Sequence, residues 1–99
     1  AVISAGDYPN GIVVAPDGRR AYVSNGRSAS VMAIDTERNV VVGTVEVGKR
    51  PWNMALTPDG RKLYVANGRS GTVSVIDSTK FEKIGDIEVG ELPWGVSIQ

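Results

Sequence analysis

The residues best suited to binding a ligand are cations and aromatic rings beside short, turn-rich segments. Arg27 and Arg69 each follow an Asn-Gly pair, and Lys49-Arg50 is separated from Trp52 by a single proline. Guanidinium groups bind carboxylates or phosphates through paired hydrogen bonds, and indole rings stack planar ligands or anchor partners. Together these types predict a binding rim of Tyr8, Arg27, Lys49, Arg50, Trp52, Arg69 and Trp94. The alternatives are solvated arginines and tryptophans that pack one sheet on the next.

Carboxylates recur at fixed positions, but their placement does not favour catalysis. Asp35 and Asp77 end predicted strands, and Glu46 and Glu88 alternate with apolar residues. Glycosidases need two carboxylates roughly 5 to 10 Å apart, whereas copies on neighbouring sheets are expected to lie farther apart. We therefore expect turn-forming aspartates and solvent-facing glutamates.

The Pro-Asp-Gly-Arg segments at 16–19 and 58–61 contain one carboxylate each. Calcium takes about 6 to 8 oxygen ligands, more than such a loop supplies. Proline at the second position and glycine where φ is positive are typical of β-turns. Both segments are predicted to be turns.

The residue types that most active sites use are missing. The chain has no Cys and no His, which excludes disulfides, thiolate zinc sites, cysteine nucleophiles and the usual general base. The remaining side chains that could bind a haem iron are Met32, Met54 and the tyrosines. We expect no catalytic residue, no metal, no cofactor and no enzymatic activity.

Composition indicates one globular unit without a charge bias. The 99 residues are 41% hydrophobic, and 11 Lys+Arg balance 11 Asp+Glu. No net positive field attracts nucleic acid, and no apolar run approaches the roughly 20 residues that span a bilayer. The expected partners therefore include neither nucleic acid nor a membrane span.

An internal repeat organises the chain. Pro9, Pro51 and Pro93 are 42 residues apart, and the same offset relates the Pro-Asp-Gly-Arg and Asn-Gly-Arg-Ser segments. A period of about 40 to 45 residues is typical of β-propeller blades. The predicted fold is all-β, a partial propeller of four-stranded antiparallel blades.

Each repeat contains four short β-branched or alternating segments bounded by turn residues. The predicted strands are 11–15, 21–24, 31–35 and 40–47 in the first blade, and 52–57, 63–66, 73–77 and 83–89 in the second. By alignment, 2–5 is the outer strand of a preceding blade and 94–98 the inner strand of a following one. The predicted organisation is an outer strand in 1–5, blades at 6–47 and 48–90, and an inner strand in 91–99.

The repeat resembles the YVTN family of β-propellers. The resemblance rests on PWNMALTPDGRKLYVANG at 51–68, TVSVID at 72–77 and IEVG at 87–90, and it covers essentially the whole chain. The signature tetrapeptide is altered at its third position, to YVSN at 22–25 and YVAN at 64–67. The resemblance implies a periplasmic, cell-surface or secreted location, and related repeats occur in quinoprotein-type and haem-containing enzymes.

Three functions follow as hypotheses. The first is a non-catalytic structural or protein-interaction scaffold. The second is a part of a quinone- or haem-dependent oxidoreductase propeller, and the third is an excised or engineered fragment that self-assembles. Propellers close with about 4 to 8 blades, so two blades expose apolar faces and unpaired edges. We expect a homo-oligomer with rearranged or exchanged terminal strands, or stability only beside the remaining blades of a larger propeller.

Overall fold

The structure of the protein is a computed structural model that describes residues 9–89, without the side chains of Pro9, Asn10 and Trp52. Eight strands form two four-stranded sheets. They are β1 (Pro9–Val14), β2 (Arg20–Asn25), β3 (Ser30–Asp35), β4 (Val40–Glu46), β5 (Pro51–Leu56), β6 (Lys62–Asn67), β7 (Thr72–Asp77) and β8 (Glu82–Glu88).

Each sheet is an antiparallel meander, with strand order β1-β2-β3-β4 in blade 1 and β5-β6-β7-β8 in blade 2. The predicted fold class is therefore confirmed, and all eight predicted strands of the two repeats are present. The two additional strands predicted at 2–5 and 94–98 lie outside the described residues. Residues 9–89 contain no helix that could cross a membrane.

The Pro-Asp-Gly segments form the predicted turns. The backbone N–H of Arg19 donates to Asp17 Oδ1 (2.9 Å), and that of Arg61 donates to Asp59 Oδ1 (3.0 Å). Gly18 has a φ of 74°, in the left-handed region that glycine adopts without steric cost. These turns join the first two strands of each blade.

The Asn-Gly pairs do not adopt the left-handed backbone that is typical of this dipeptide in tight turns. The positive φ angles fall later in these turns, at Ala29 (53°) and Gly71 (69°). Asn25 is fully buried, and its Nδ2 donates to Ser30 Oγ at 3.3 Å. The asparagine ends the strand with its side chain inside the blade, so the turn closes four residues after it.

The core lies between the two blades. Its buried residues are Tyr22, Val31 and Ala33 from blade 1, and Met54, Leu63, Val65 and Ile76 from blade 2. A second buried cluster, of Ala21, Val23, Met32 and Ile34, occupies the other side of blade 1. Since strand side chains alternate between faces, the two clusters mark the two faces of one sheet.

The blades stack in one direction. We call the side of blade 1 that carries Tyr22 its back face, and the side of blade 2 that carries Leu63 its front face. Leu63 is the repeat equivalent of Ala21, which lies on the front face of blade 1. The interface therefore joins the back face of one blade to the front face of the next, and both blades have the same orientation along the repeat.

Candidate functional site

Four of the predicted binding residues meet at one end of the blade pair. Arg27, Lys49, Arg50 and Arg69 line an open cleft of about 370 Å³, together with Gly26 and Ala29. No acidic side chain of residues 9–89 lines it. We call this site the cationic cleft.

Two kinds of segment position these cations. Arg27 and Arg69 occupy the β2–β3 and β6–β7 turns, whereas Lys49 and Arg50 belong to the segment that connects the blades. Backbone bonds tie connector to turn: Gly68 N–H donates to Arg50 O (2.9 Å), and Arg69 N–H donates to Lys49 O (3.2 Å). The connector is thus fixed against the turn that bears Arg69.

Further constraints act on the connector itself. The Lys49 N–H donates to Ser70 Oγ at 2.6 Å. Arg50 has a φ of 57°, a conformation that is uncommon for residues other than glycine and concentrates at functional sites. The backbone beneath the two connector cations is therefore held in an unfavourable conformation by its hydrogen bonds.

The cleft is positive and open to water. All four cations are exposed, and within residues 9–89 no carboxylate forms an ion pair with Lys49, Arg50 or Arg69. Like charges around one cleft repel one another, and an anion bound among them relieves that repulsion. The arrangement suits an anionic ligand.

The aromatic part of the predicted rim is not described. Tyr8 and Trp94 lie outside the described residues. The backbone of Trp52 belongs to β5, directly after the connector, but its side chain is not among those described. The structure therefore assembles the cations of the rim and leaves its stacking function a prediction.

The opposite end of the blades carries mixed charge. A groove of about 410 Å³ between the blades is lined there by acidic and basic residues, including Asp17, Arg19, Arg20 and Asp59. Arg20 Nη1 crosses the groove to donate to Ser78 O at 3.3 Å. This end does not present a single charge to a ligand.

The aspartates that end the third strands cap turns, as expected. Asp35 Oδ1 accepts the N–H groups of Glu37 and Arg38, and Asp77 Oδ1 accepts those of Thr79 and Lys80, at 2.9 to 3.1 Å. The backbone N–H and the guanidinium of Arg38 lower the pKa of Asp35 below its ordinary value of 3.8. An ionised, turn-bound carboxylate is not a general acid.

One polar chain was missed by sequence reasoning. Asn67 Nδ2 donates to Ser74 Oγ (2.8 Å), which donates to Asp86 Oδ1 (2.6 Å), and Lys83 Nζ donates to Asp86 Oδ2 (2.8 Å). The Lys83 ammonium, followed by the Ser74 hydroxyl, lowers the pKa of Asp86. The chain runs from the cleft end of β6 to the outer strand β8.

A departure from the repeat could have revealed this chain. Ser74 and Asp86 stand where blade 1 has Met32 and Thr44. A Cβ added to Gly48 would lie 2.8 Å from Asn67 Cγ, so the polar chain packs directly beneath the start of the connector. These hydrogen-bonded side chains support the backbone that presents Lys49.

Comparison with known proteins gives the family. A family model described as the cytochrome D1 heme domain matches residues 2–94. The chain belongs to this family. The chain matches no curated protein.

Solved structures share the fold of this cytochrome D1 heme domain member. Hydrazine synthase of Kuenenia stuttgartiensis is 38% identical with a TM-score of 0.87, over 95% of this chain and 27% of that one. The beta-propeller domain of Cps50 (Swd1) of Myceliophteria thermophila is 14% identical with a TM-score of 0.82, and the match covers 93% of this chain and 28% of that one. Dihydro-heme d1 dehydrogenase NirN in complex with DHE is 24% identical with a TM-score of 0.77, and the match covers 90% of this chain and 21% of that one. The chain thus spans about a quarter of the length of these proteins.

Three of the four candidate iron ligands among residues 9–89 are enclosed in the apolar core, and the fourth, Tyr64, is half-buried. Met32 and Met54 are buried in the two apolar clusters, and Tyr22 is 2% exposed in the blade interface. None of these side chains can reach a ligand without unpacking the core. No group of His, Cys, Asp or Glu within residues 9–89 could hold a metal ion.

Proposed function

We propose that this chain is a non-catalytic segment of a larger propeller, in which the cationic cleft binds a carboxylate-rich segment of another protein. The observation that carries the proposal is the convergence of Arg27, Lys49, Arg50 and Arg69 on one cleft. Among the residues that the structure describes, no carboxylate lines this cleft. Guanidinium groups favour planar, bidentate anions. The chain acts as an interaction scaffold.

The form of the cleft supports an acidic peptide as the ligand. The cleft is open, and its four cations come from two turns and the connector. An extended acidic chain can contact such separated cations in succession. The net charge of zero gives no long-range attraction for a polyanion such as nucleic acid, so contact must be local.

Two findings support a place in a larger assembly. The chain covers 27% of the hydrazine synthase chain that it resembles, and two blades fall short of the roughly 4 to 8 that close a propeller. We propose that its repeats are of the YVTN type and that the whole protein is extracytoplasmic, as the resemblance implies.

A second function has its own support. The family match and the 38% identity to hydrazine synthase favour a propeller that belongs to an oxidoreductase. In that protein this chain would form part of the propeller wall, and other blades would supply the redox site. The flanking gene sequence tests this candidate: a Cys-x-x-Cys-His segment supports it, whereas 42-residue repeats alone oppose it.

The binding proposal is tested with a fluorescent polyglutamate peptide. Replacing Arg27 and Arg69 together by Ala removes cations from both turns, and fluorescence anisotropy should show affinity weakened about tenfold. The matched control is Arg61→Ala with Lys80→Ala, which removes the same charge from the opposite end of the blades.

The control separates local contact from overall charge. We expect the control variant to bind within about twofold of the parent chain, because its changes lie beyond the screening length at physiological salt. Equal losses in the two variants, or no loss at Arg27 and Arg69, would refute the cleft as the binding site.

A further inference from the structure

The interface between the blades contains one aromatic contact that the repeat does not share. The ring of Phe81, in the β7–β8 turn, lies against Gly43 so closely that a Cβ there would be 2.9 Å from Phe81 Cδ2. The same ring is tilted against Tyr22, with 5.8 Å between centroids. Gly43 and Tyr22 thus form a cradle on the back face of blade 1, and Phe81 fills it.

Phe81 occupies this place against its own backbone preference. Its φ is 53°, and a bulky side chain in the left-handed region is a steric outlier. Blade 1 has Asn39 at this position, with a φ of 56°, and asparagine tolerates that conformation far better. The turn favours asparagine, so the phenylalanine is explained by the cradle rather than by the turn.

Blade 2 carries the same cradle, and no ring among residues 9–89 fills it. Gly85 and Tyr64 are the repeat equivalents of Gly43 and Tyr22, and a Cβ added to Gly85 would meet no described atom within 4 Å. Around it, Ile87 is 49% and Val89 52% exposed, whereas their equivalents in blade 1 pack against the core. Within residues 9–89, the back face of blade 2 therefore has the shape of the blade interface but no blade packed on it.

We propose that the back face of blade 2 docks a further four-stranded blade that carries an aromatic residue at the repeat position of Phe81. Its ring lies over Gly85 and against Tyr64, as Phe81 lies over Gly43 and against Tyr22. The same face, one repeat earlier, already forms this interface. The inference rests on the proposed place of the chain in a larger propeller.

A second copy of this chain is the poorer occupant. The front face that it would offer carries Asn39 where the ring is needed. The cradle selects a blade with an aromatic residue.

The test supplies such a blade in the same chain. Gln99 aligns with Thr57 in the repeat, so residues 1–99 followed by a second copy of 58–89 complete a third unit with its own copy of Phe81. We call this three-unit protein the extended chain, and its matched control changes only the copied phenylalanine to asparagine. Gly85→Ala is introduced into the 99-residue chain, the extended chain and the control.

The three backgrounds give different expected results. Gly85→Ala should leave the Tm of the 99-residue chain within about 2 °C, since the added methyl group meets nothing, and should lower that of the extended chain by about 5 °C through a clash with the ring. In the asparagine control, Gly85→Ala should no longer lower the Tm. Hydrogen exchange provides a second readout: amides of β8 should gain protection only in the extended chain with the phenylalanine.

Other outcomes would overturn the inference. Equal effects of Gly85→Ala in all three backgrounds, or a third unit that is proteolysed while the first two remain folded, would show that the face does not select an aromatic blade. A dimer of the 99-residue chain that Gly85→Ala dissociates in sedimentation would identify a second copy as the occupant. None of these results affects the proposal of peptide binding at the cationic cleft, which the anisotropy experiment tests separately.

Discussion

At the scale of single residues, two residues at equivalent positions of the repeat can have different surroundings. Ile12 and Met54 occupy the same position on the innermost strand of their blades. Met54 is 5% exposed in the blade interface, whereas Ile12 is 66% exposed. The difference arises because the front face of blade 2 meets a neighbour that the corresponding edge of blade 1 lacks among the described residues.

This pair gives a matched test of the interface. Met54→Ala should lower the free energy of unfolding by about 3 kcal/mol, since it leaves a cavity in a packed core. Ile12→Ala removes an exposed side chain and should cost less than about 1 kcal/mol. Urea unfolding of both variants measures the difference, and similar losses would show that the two blades do not pack as described.

At the scale of elements, strands and their order were predictable because alternation and turn residues are local signals. The eight strands lie within a few residues of their predicted bounds. The cationic cleft was predictable in part, since the repeat places Arg27 and Arg69 in equivalent turns. The hydrogen-bonded series of Asn67, Ser74 and Asp86 was not predictable, because these side chains come together only when three strands pair.

The β2–β3 and β6–β7 turns test the left-handed position directly. Ala29 and Gly71 are repeat equivalents with φ angles of 53° and 69°, and only glycine adopts this region without strain. Ala29→Gly should therefore raise the free energy of unfolding by about 0.5 to 1 kcal/mol. Gly71→Ala should lower it by about 1 kcal/mol. Thermal melts that shift in the same direction for both variants would contradict the turn geometry.

At the scale of the whole molecule, ionised aspartates contribute to stability in several places. The pKa of Asp59 is lowered by the Thr57 hydroxyl and then by the Arg61 N–H, and the pKa values of Asp35 and Asp86 are lowered as well. Each group binds protons more weakly when folded than when unfolded. Their stabilisation is therefore complete above the ordinary value of 3.8 and is lost as pH falls through the lower folded values.

Part of the loss of stability at low pH can be assigned to Asp86. The free energy of unfolding should be nearly constant from neutral pH to about 5 and should decline below about 4. Asp86→Asn should reduce stability at pH 7 and make the acid decline shallower, because the Lys83 and Ser74 contacts no longer depend on a charge. Urea titrations across this range check both effects, and an unchanged slope in the variant would exclude Asp86 as a contributor.

The contact of Phe81 with Gly43 also limits how such a protein can evolve. Front-to-back stacking lets a gene gain or lose whole 42-residue units by recombination, since every unit brings both faces. A unit with a ring at the position of Phe81 can follow only a unit with a glycine at the position of Gly43, and both described units have that glycine. A gene that joined such a unit to one without the glycine would encode a clash, so this contact restricts which units can become neighbours.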